Sequence, residues 1–346
     1  MPHNQSLESF VHDFIRDRSA AQRVQIEHLQ RLGGGAIQEN YALDLLIEGG
    51  PHAGRQAWVL RTDSPSRLAI SLGRAEEFAV LQKAFAAGAK VPEPLWLHRD
   101  QGQLGRDFYL MRRVAGNASG RALVKAERSP TQRAELLGQL GASLAALHSI
   151  QPPQPELEFL ARPAANPALA RVAEYRALLD QLGRPQPTLE WALRWLELNA
   201  PQQSATRLVH GDFRTGNYMV EGNQLTGILD WEFAGWGAPD EDIGWFCARC
   251  WRFGAFTHEA GGIGSLEDFL SGYERVSDTP VDRQDLPYWR IMATLRWALI
   301  ALLQAERHLS GEQPSLELAL TGRMLPEIEL DLLDEISTLE QERRHA

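Results

Sequence analysis

Apolar residues along this chain repeat in two registers. In the first third they form short runs bounded by Gly, Pro or Asp, and Tyr41–Ile47, Gln56–Arg61 and Phe108–Met111 read as strands. One helix interrupts them, from about Arg74 to Ala87, with Phe78, Leu81 and Phe85 at i, i+3 and i+7 and Gly88 just past its end. Beyond residue 117 the helical period dominates. Thr131–Ser149 keeps it without a break behind Pro130, and Pro167–Leu182, Pro187–Leu198, Leu266–Val276, Leu286–His308 and Pro314–Leu339 share it. Residues 207–231 instead break into three strand-like pieces, Arg207–Val209, Tyr218–Val220 and Gln224–Leu229. The Pro/Ala-rich stretch 151–168 and the Gly-rich stretch Gly254–Gly264 read as exposed connectors. The pattern predicts an α+β protein: a small β-rich lobe over residues 1–116, a hinge near Arg112–Gly120, and a larger, mainly helical lobe over 117–346.

Charge sharpens this division. Residues 1–116 carry 14 basic and 13 acidic side chains, whereas 117–346 carry 21 and 32, so the helical part holds −11 of a net −10 and the β-rich part +1. An acidic balance disfavours nucleic acid and anionic membranes as partners, because affinity for either comes from basic residues. The first thirty residues interleave charge with every short apolar patch and do not read as a secretory signal. No apolar run approaches the roughly 18 residues of a membrane span; the longest, Trp297–Leu303, fits a buried helix. Two cysteines make no disulfide scaffold. A cytoplasmic protein is the expectation, and nothing in the sequence indicates an oligomeric state.

The chemistry is concentrated in Leu208–Trp245, LVHGDFRTGNYMVEGNQLTGILDWEFAGWGAPDEDIGW, which places Asp212, Asn217 and Asp230 at intervals of five and thirteen. A strand ending at Val209 followed by His-Gly-Asp implies a sharp turn that presents Asp212. A carboxylate and an amide oxygen are hard ligands suited to Mg²⁺, and a second carboxylate one loop away can orient a hydroxyl and accept its proton. Phosphoryl transfer needs both elements.

This D-x-x-x-x-N loop with a later Asp resembles the catalytic and metal loops of the protein-kinase-like superfamily. HGD and ILDWE are similar to the aminoglycoside phosphotransferase/choline kinase branch, and the flanking residues look closest to bacterial phosphotransferase-family proteins related to the kinase-like domain of acyl-CoA dehydrogenase fusions. The resemblance implies a protein-kinase-like two-lobed fold, ATP and Mg²⁺ as cofactors, Asp212 as catalytic base, and Asn217 with Asp230 as metal ligands. It further implies a loop-supporting His210, Arg214 near the γ-phosphate, and Asp242 anchoring the catalytic loop from the next helix. Gly33, Gly34 and Gly35 would turn over the phosphates. Arg61 stands where the family usually has Lys, and Arg can bind phosphate bidentately. Glu77 matches the carboxylate that holds this cation, with Glu76 as its competitor. Backbone groups around Met111–Arg113 would meet the adenine edge, while Arg112 and Arg113 side chains face phosphate or solvent.

The implied activity is transfer of the ATP γ-phosphate to a hydroxyl of a small molecule, with a hydroxyacyl compound as its best specific form and an aminoglycoside behind it. A nucleotide-binding pseudokinase is the alternative of another class, suggested only by Arg61. A protein kinase is disfavoured because no APE-like segment follows LDWE. Cys247-Ala-Arg-Cys250 lacks a second pair for zinc and reads as packing on a helix. His148 reads as a packed helix-end residue, and Trp236, Trp245, Trp251, Trp289 and Trp297 as core or acceptor-pocket rim. Pro326–Arg344 reads as a terminal packing helix.

Overall fold

The structure is a computed structural model that describes residues 7–33, 38–63, 71–202 and 205–345. Its elements in order are α1 (Leu7–Ser19), β1 (Arg23–Arg31), β2 (Gln38–Glu48), β3 (Gly54–Asp63), α2 (Arg74–Ala86), β4 (Pro94–His98), β5 (Phe108–Arg112), α3 (Gly120–Lys125), α4 (Pro130–His148), α5 (Pro167–Leu182) and α6 (Pro187–Leu198). There follow β6 (Arg207–Val209), β7 (Tyr218–Glu221), β8 (Gln224–Ile228), β9 (Gly235–Gly237), α7 (Pro239–Phe246), α8 (Leu266–Glu274), α9 (Leu286–Leu309), α10 (Leu316–Gly322) and α11 (Leu325–His345). They form two compact units. The first comprises residues 1–117, 153–159 and 218–234, and the second the remainder. The β7–β8 hairpin and Asp230, which the sequence groups with 117–346, thus fold with the first unit.

In the first unit five antiparallel strands lie in the order β1-β2-β3-β5-β4. Alternation across the pleat sends Trp58 and Leu60 of β3, Leu43 and Leu45 of β2, and Phe108 and Leu110 of β5 to one face, where Val11 and Ile15 of α1 complete a core. Val59 and Arg61 therefore face the other way, toward α2, where the Phe78 ring packs 5.5 Å from that of Tyr109. Phe85, expected on the buried stripe of α2, is 46% exposed; Val80, Leu81 and Ala84 carry the packing instead. The hairpin is tied to this sheet through backbone bonds. Asn117 and Val220 exchange N–H···O bonds of 3.0 and 3.1 Å, Ile228 N–H donates to Lys90 (2.8 Å), and Leu72 N–H donates to Glu232 (2.8 Å). Gly116 is required there, because a Cβ would meet Val220 O at 2.4 Å.

In the second unit α9 runs through a core shared with α5, α6 and α11, built on Leu189, Leu193, Leu196, Leu295, Leu299 and Leu332. Helices α4 and α8 approach closely at Gly138 and Gly272. The single helix expected over 314–339 is two: α10 ends at Gly322, where a Cβ would collide with Ala305, and α11 restarts at Leu325 with Pro326 in its first turn. No described helix is long and apolar enough to cross a membrane.

Candidate active site

In the helical unit β6 ends at Val209 and the chain turns sharply through His210, Gly211 and Asp212. Asp242, in the first turn of α7, accepts the backbone N–H of His210 (2.6 Å) and of Gly211 (2.9 Å), so one carboxylate holds the turn open. Gly211 adopts φ +73°, a conformation in which a side chain is strained. Asp242 is itself held by His148 Nε2 (3.1 Å), whose Nδ1 meets the Tyr273 hydroxyl (2.8 Å). Burial works to raise the Asp242 pKa, but the hydrogen bond and charge of His148, with the His210 contacts, hold it below the ordinary carboxylate range. His148 thus supports the loop from the end of α4. His210 is fully buried and its Nδ1 accepts the Asp212 backbone N–H at 3.1 Å.

Three donors fix the Asp212 carboxylate. Trp245 Nε1 donates to Oδ1 (2.7 Å), while Asn217 Nδ2 (2.6 Å) and Arg214 Nε (3.2 Å) donate to Oδ2. Asn217 Nδ2 also reaches the Asp212 carbonyl at 3.0 Å. Arg214 lies over the Trp251 ring at 4.3 Å from its centroid, and Thr215 Oγ1 ties the loop to Gly261 O at 2.8 Å. The structure thus brings Asp212, Arg214 and Asn217 together. Trp245 is a partner the sequence reading leaves among the packing tryptophans, since nothing in the sequence links an indole N–H to a carboxylate 33 positions earlier.

In the β-rich unit Arg61 stands between Asn40 and Tyr109 in the sheet register. Its Nε lies 2.9 Å from Glu77 Oε1, and its Nη2 donates to Asp230 Oδ1 at 2.7 Å. Burial acts to lower its pKa, but Glu77, Tyr109 and Asp230 outweigh that and raise it. Glu77 is fully buried and also binds Arg74, while Glu76 is half-buried and outside the cluster. Asp230 adopts φ +68°, an uncommon left-handed conformation for a non-glycine residue and one that concentrates at functional sites.

Other expected positions fare differently. Gly33 is exposed at the end of the β1 side of the turn, and Gly34 and Gly35 lie outside the described residues. Met111 is buried in β5 opposite Val59. The backbone N–H of Arg112 donates to Glu93 O and that of Arg113 to Ala57 O, each at 2.9 Å, so both amides are committed within the sheet. Their side chains pair with Glu93 and Asp44. The helix expected to carry both cysteines ends at Phe246. Cys247 caps it, buried, with its thiol pushed up to about 12 by that burial. Cys250 falls in the 3-10 turn that follows, and no group of three His, Cys, Asp or Glu able to hold a metal occurs among the described residues.

Residues 28–278 match the model of the phosphotransferase enzyme family. The chain belongs to this family. It is 26% identical over 295 residues to acyl-CoA dehydrogenase family member 10 of Mus musculus, covering 79% of the chain and 26% of that relative. It is 22% identical over 282 residues to 4-hydroxytryptamine kinase of Psilocybe cyanescens, covering 73% and 76%. The chain spans between about a quarter and just over a third of the acyl-CoA dehydrogenase family members 10 and 11 that it matches. Among solved structures, an aminoglycoside phosphotransferase candidate from Ralstonia eutropha superposes with a TM-score of 0.75 at 20% identity, covering 95% of this chain and 97% of the other. A thermostable aminoglycoside phosphotransferase in ternary complex with AMP-PNP and hygromycin B gives 0.56 at 16%, covering 92% and 97%. The fold is therefore the kinase-like fold of this phosphotransferase family.

The residues fit a magnesium ion by their donor chemistry. The Asn217 amide nitrogen is spent on Asp212, which leaves its oxygen as the ligand atom, and Asp230 gives Oδ1 to Arg61, which leaves Oδ2. Each is an oxygen donor of the kind that magnesium takes.

Proposed function

We propose that this phosphotransferase-family chain transfers the γ-phosphate of ATP to a hydroxyl of a small molecule, with Asp212 as base. The observation that carries this reading is the Asp212 carboxylate, fixed by three donors on a loop suspended from Asp242. Its orientation costs nothing at the moment of reaction, which is what in-line alignment of an acceptor demands. Asp212 receives the hydroxyl proton as the oxygen–phosphorus bond forms and the bond to ADP breaks. Arg214, beside the base, and Arg61, held by Glu77, supply positive charge for the phosphates. Asn217 and Asp230 would each offer an oxygen to magnesium, which would supply neutralising charge for the phosphates. Backbone groups around Met111–Arg113 would meet the adenine edge without the N–H groups of Arg112 and Arg113, which are engaged. The intact Asp212, Asn217 and Asp230 set favours an active enzyme over a pseudokinase.

Calorimetry of ATP with and without Mg²⁺, followed by ADP release over hydroxylated metabolites, hydroxyacyl thioesters and aminoglycosides, tests the reading. Metal-dependent binding with release stimulated by one class is the expected result. Absence of ATP binding at millimolar nucleotide would overturn it.

A further inference from the structure

Beside Asp212 the helical unit carries an aromatic wall, of which only Trp245 and Arg214 serve the phosphoryl-transfer chemistry. Trp245 and Trp251 meet edge to face with ring centroids 5.3 Å apart, and Trp251 and Trp297 are again 5.3 Å apart. Trp251 and Trp297 are half-buried, yet their indole Nε1 atoms are buried and have no hydrogen-bond partner among the described residues. Two arginines lie on this aromatic wall. Arg214 covers Trp251 and has Asp212 as its counter-charge, whereas Arg296 covers Trp245 at 4.3 Å and has no ion-pair partner among the described residues. Glu241, on the same helix as Trp245, binds Arg171 at 2.8 Å, and Asp331 binds Arg249 at 3.2 Å.

From this arrangement we propose that the acceptor is an anionic hydroxylated molecule with a flat or apolar body. Its anionic group pairs with Arg296 and its body lies against Trp251 and Trp297. An uncompensated guanidinium presents several N–H donors in a fork that matches a carboxylate or phosphate, and aromatic faces offer area at low conformational cost. A polycationic acceptor would bring its charges toward two guanidiniums, so the acidity of the unit as a whole does not describe this wall. The inference rests on the assignment of Asp212 as base, since that places the wall beside the reacting hydroxyl.

Three probes with one phenolic scaffold isolate charge: 4-hydroxyphenylacetate, its neutral amide, and tyramine, each titrated calorimetrically into the full chain, with kanamycin as a polycation. The acid is expected to bind at least about tenfold more tightly than the amide or tyramine. Arg296→Gln should reduce the acid to the affinity of the amide while the amide itself is unchanged, which also shows that the variant is folded, and Arg296→Lys should restore part of the preference. Equal affinity for all three probes in the wild-type chain, a preference that survives Arg296→Gln, or tighter binding of kanamycin would overturn the proposal. ATP turnover of Asp212→Asn, measured in parallel, separates the two readings. Turnover lost without any preference for the acid removes the acceptor inference alone, and turnover retained removes the base.

Discussion

Arg61 in the β-rich unit and Asp212 in the helical unit are each one charged side chain held by several partners, but by opposite means. Arg61 is 6% exposed and surrounded by charge: Glu77 and Asp230 bind it, and Arg74 shares Glu77. Asp212 is comparably buried, at 8% exposed, yet two of its three donors are neutral, an indole N–H and an amide N–H. Buried ion pairs are costly to break, because the remaining charge has no water to return to. The neutral donors fix direction, and Arg214 at 3.2 Å is the one charged partner. Damage to the Glu77 side of the first cluster should therefore fall first on folding, and damage to the donors of the second on rate.

Asp212→Asn keeps shape and removes the proton acceptor. Turnover is expected to fall by about 10²–10⁴-fold while thermal stability holds; full turnover in a steady-state assay would remove the base. Glu77→Gln does the converse. It leaves Arg61 and Arg74 buried without their shared carboxylate, and a loss of about 3–5 kcal/mol is expected in denaturant unfolding. An unchanged midpoint would mean that the pair is not a framework.

Trp245→Phe should sharpen the picture at smaller scale. It removes one hydrogen bond to a charged acceptor, worth about 1.5–3 kcal/mol, and kcat should fall roughly ten- to a hundredfold with nucleotide affinity unchanged. A fall in nucleotide affinity instead would place Trp245 with binding rather than with orientation.

Glu335 offers the smallest effect and a pH signature. Burial raises its carboxyl to about 7, against the opposing hydrogen bond from Thr294. Folding thus takes up a proton between the ordinary glutamate range and about pH 7, and the native protein loses stability as pH rises through that window. Glu335→Gln removes the loss. Melting at pH 8 should gain about 1–2 kcal/mol, and the gain should shrink below about pH 4.5.

Much of the fold was legible because its signals are local. Pro at the first helical position marked α5 and α6, whose observed bounds coincide with Pro167–Leu182 and Pro187–Leu198. The catalytic turn was legible as HGD because glycine between two functional residues needs the left-handed region that Gly211 adopts. The misses are where tertiary contact decides. Helix α1 interleaves charge with its apolar residues and shows its inward face only through Val11 and Ile15. Gly322, the last residue of α10, lies against Ala305, a contact from another helix. Trp245 reaches the Asp212 carboxylate the same way, from a helix 33 positions on, so no local signal announces its role.

The central claim is that the two aspartates of the motif divide their work, Asp212 taking a proton and Asp230 holding metal. Calorimetry of ATP with Asp212→Asn and Asp230→Asn, each with Mg²⁺ and with chelator, tests it most directly. The account predicts near wild-type, magnesium-dependent affinity for Asp212→Asn and loss of the magnesium dependence for Asp230→Asn. Magnesium-dependent affinity retained in Asp230→Asn, or abolished in Asp212→Asn, would contradict it.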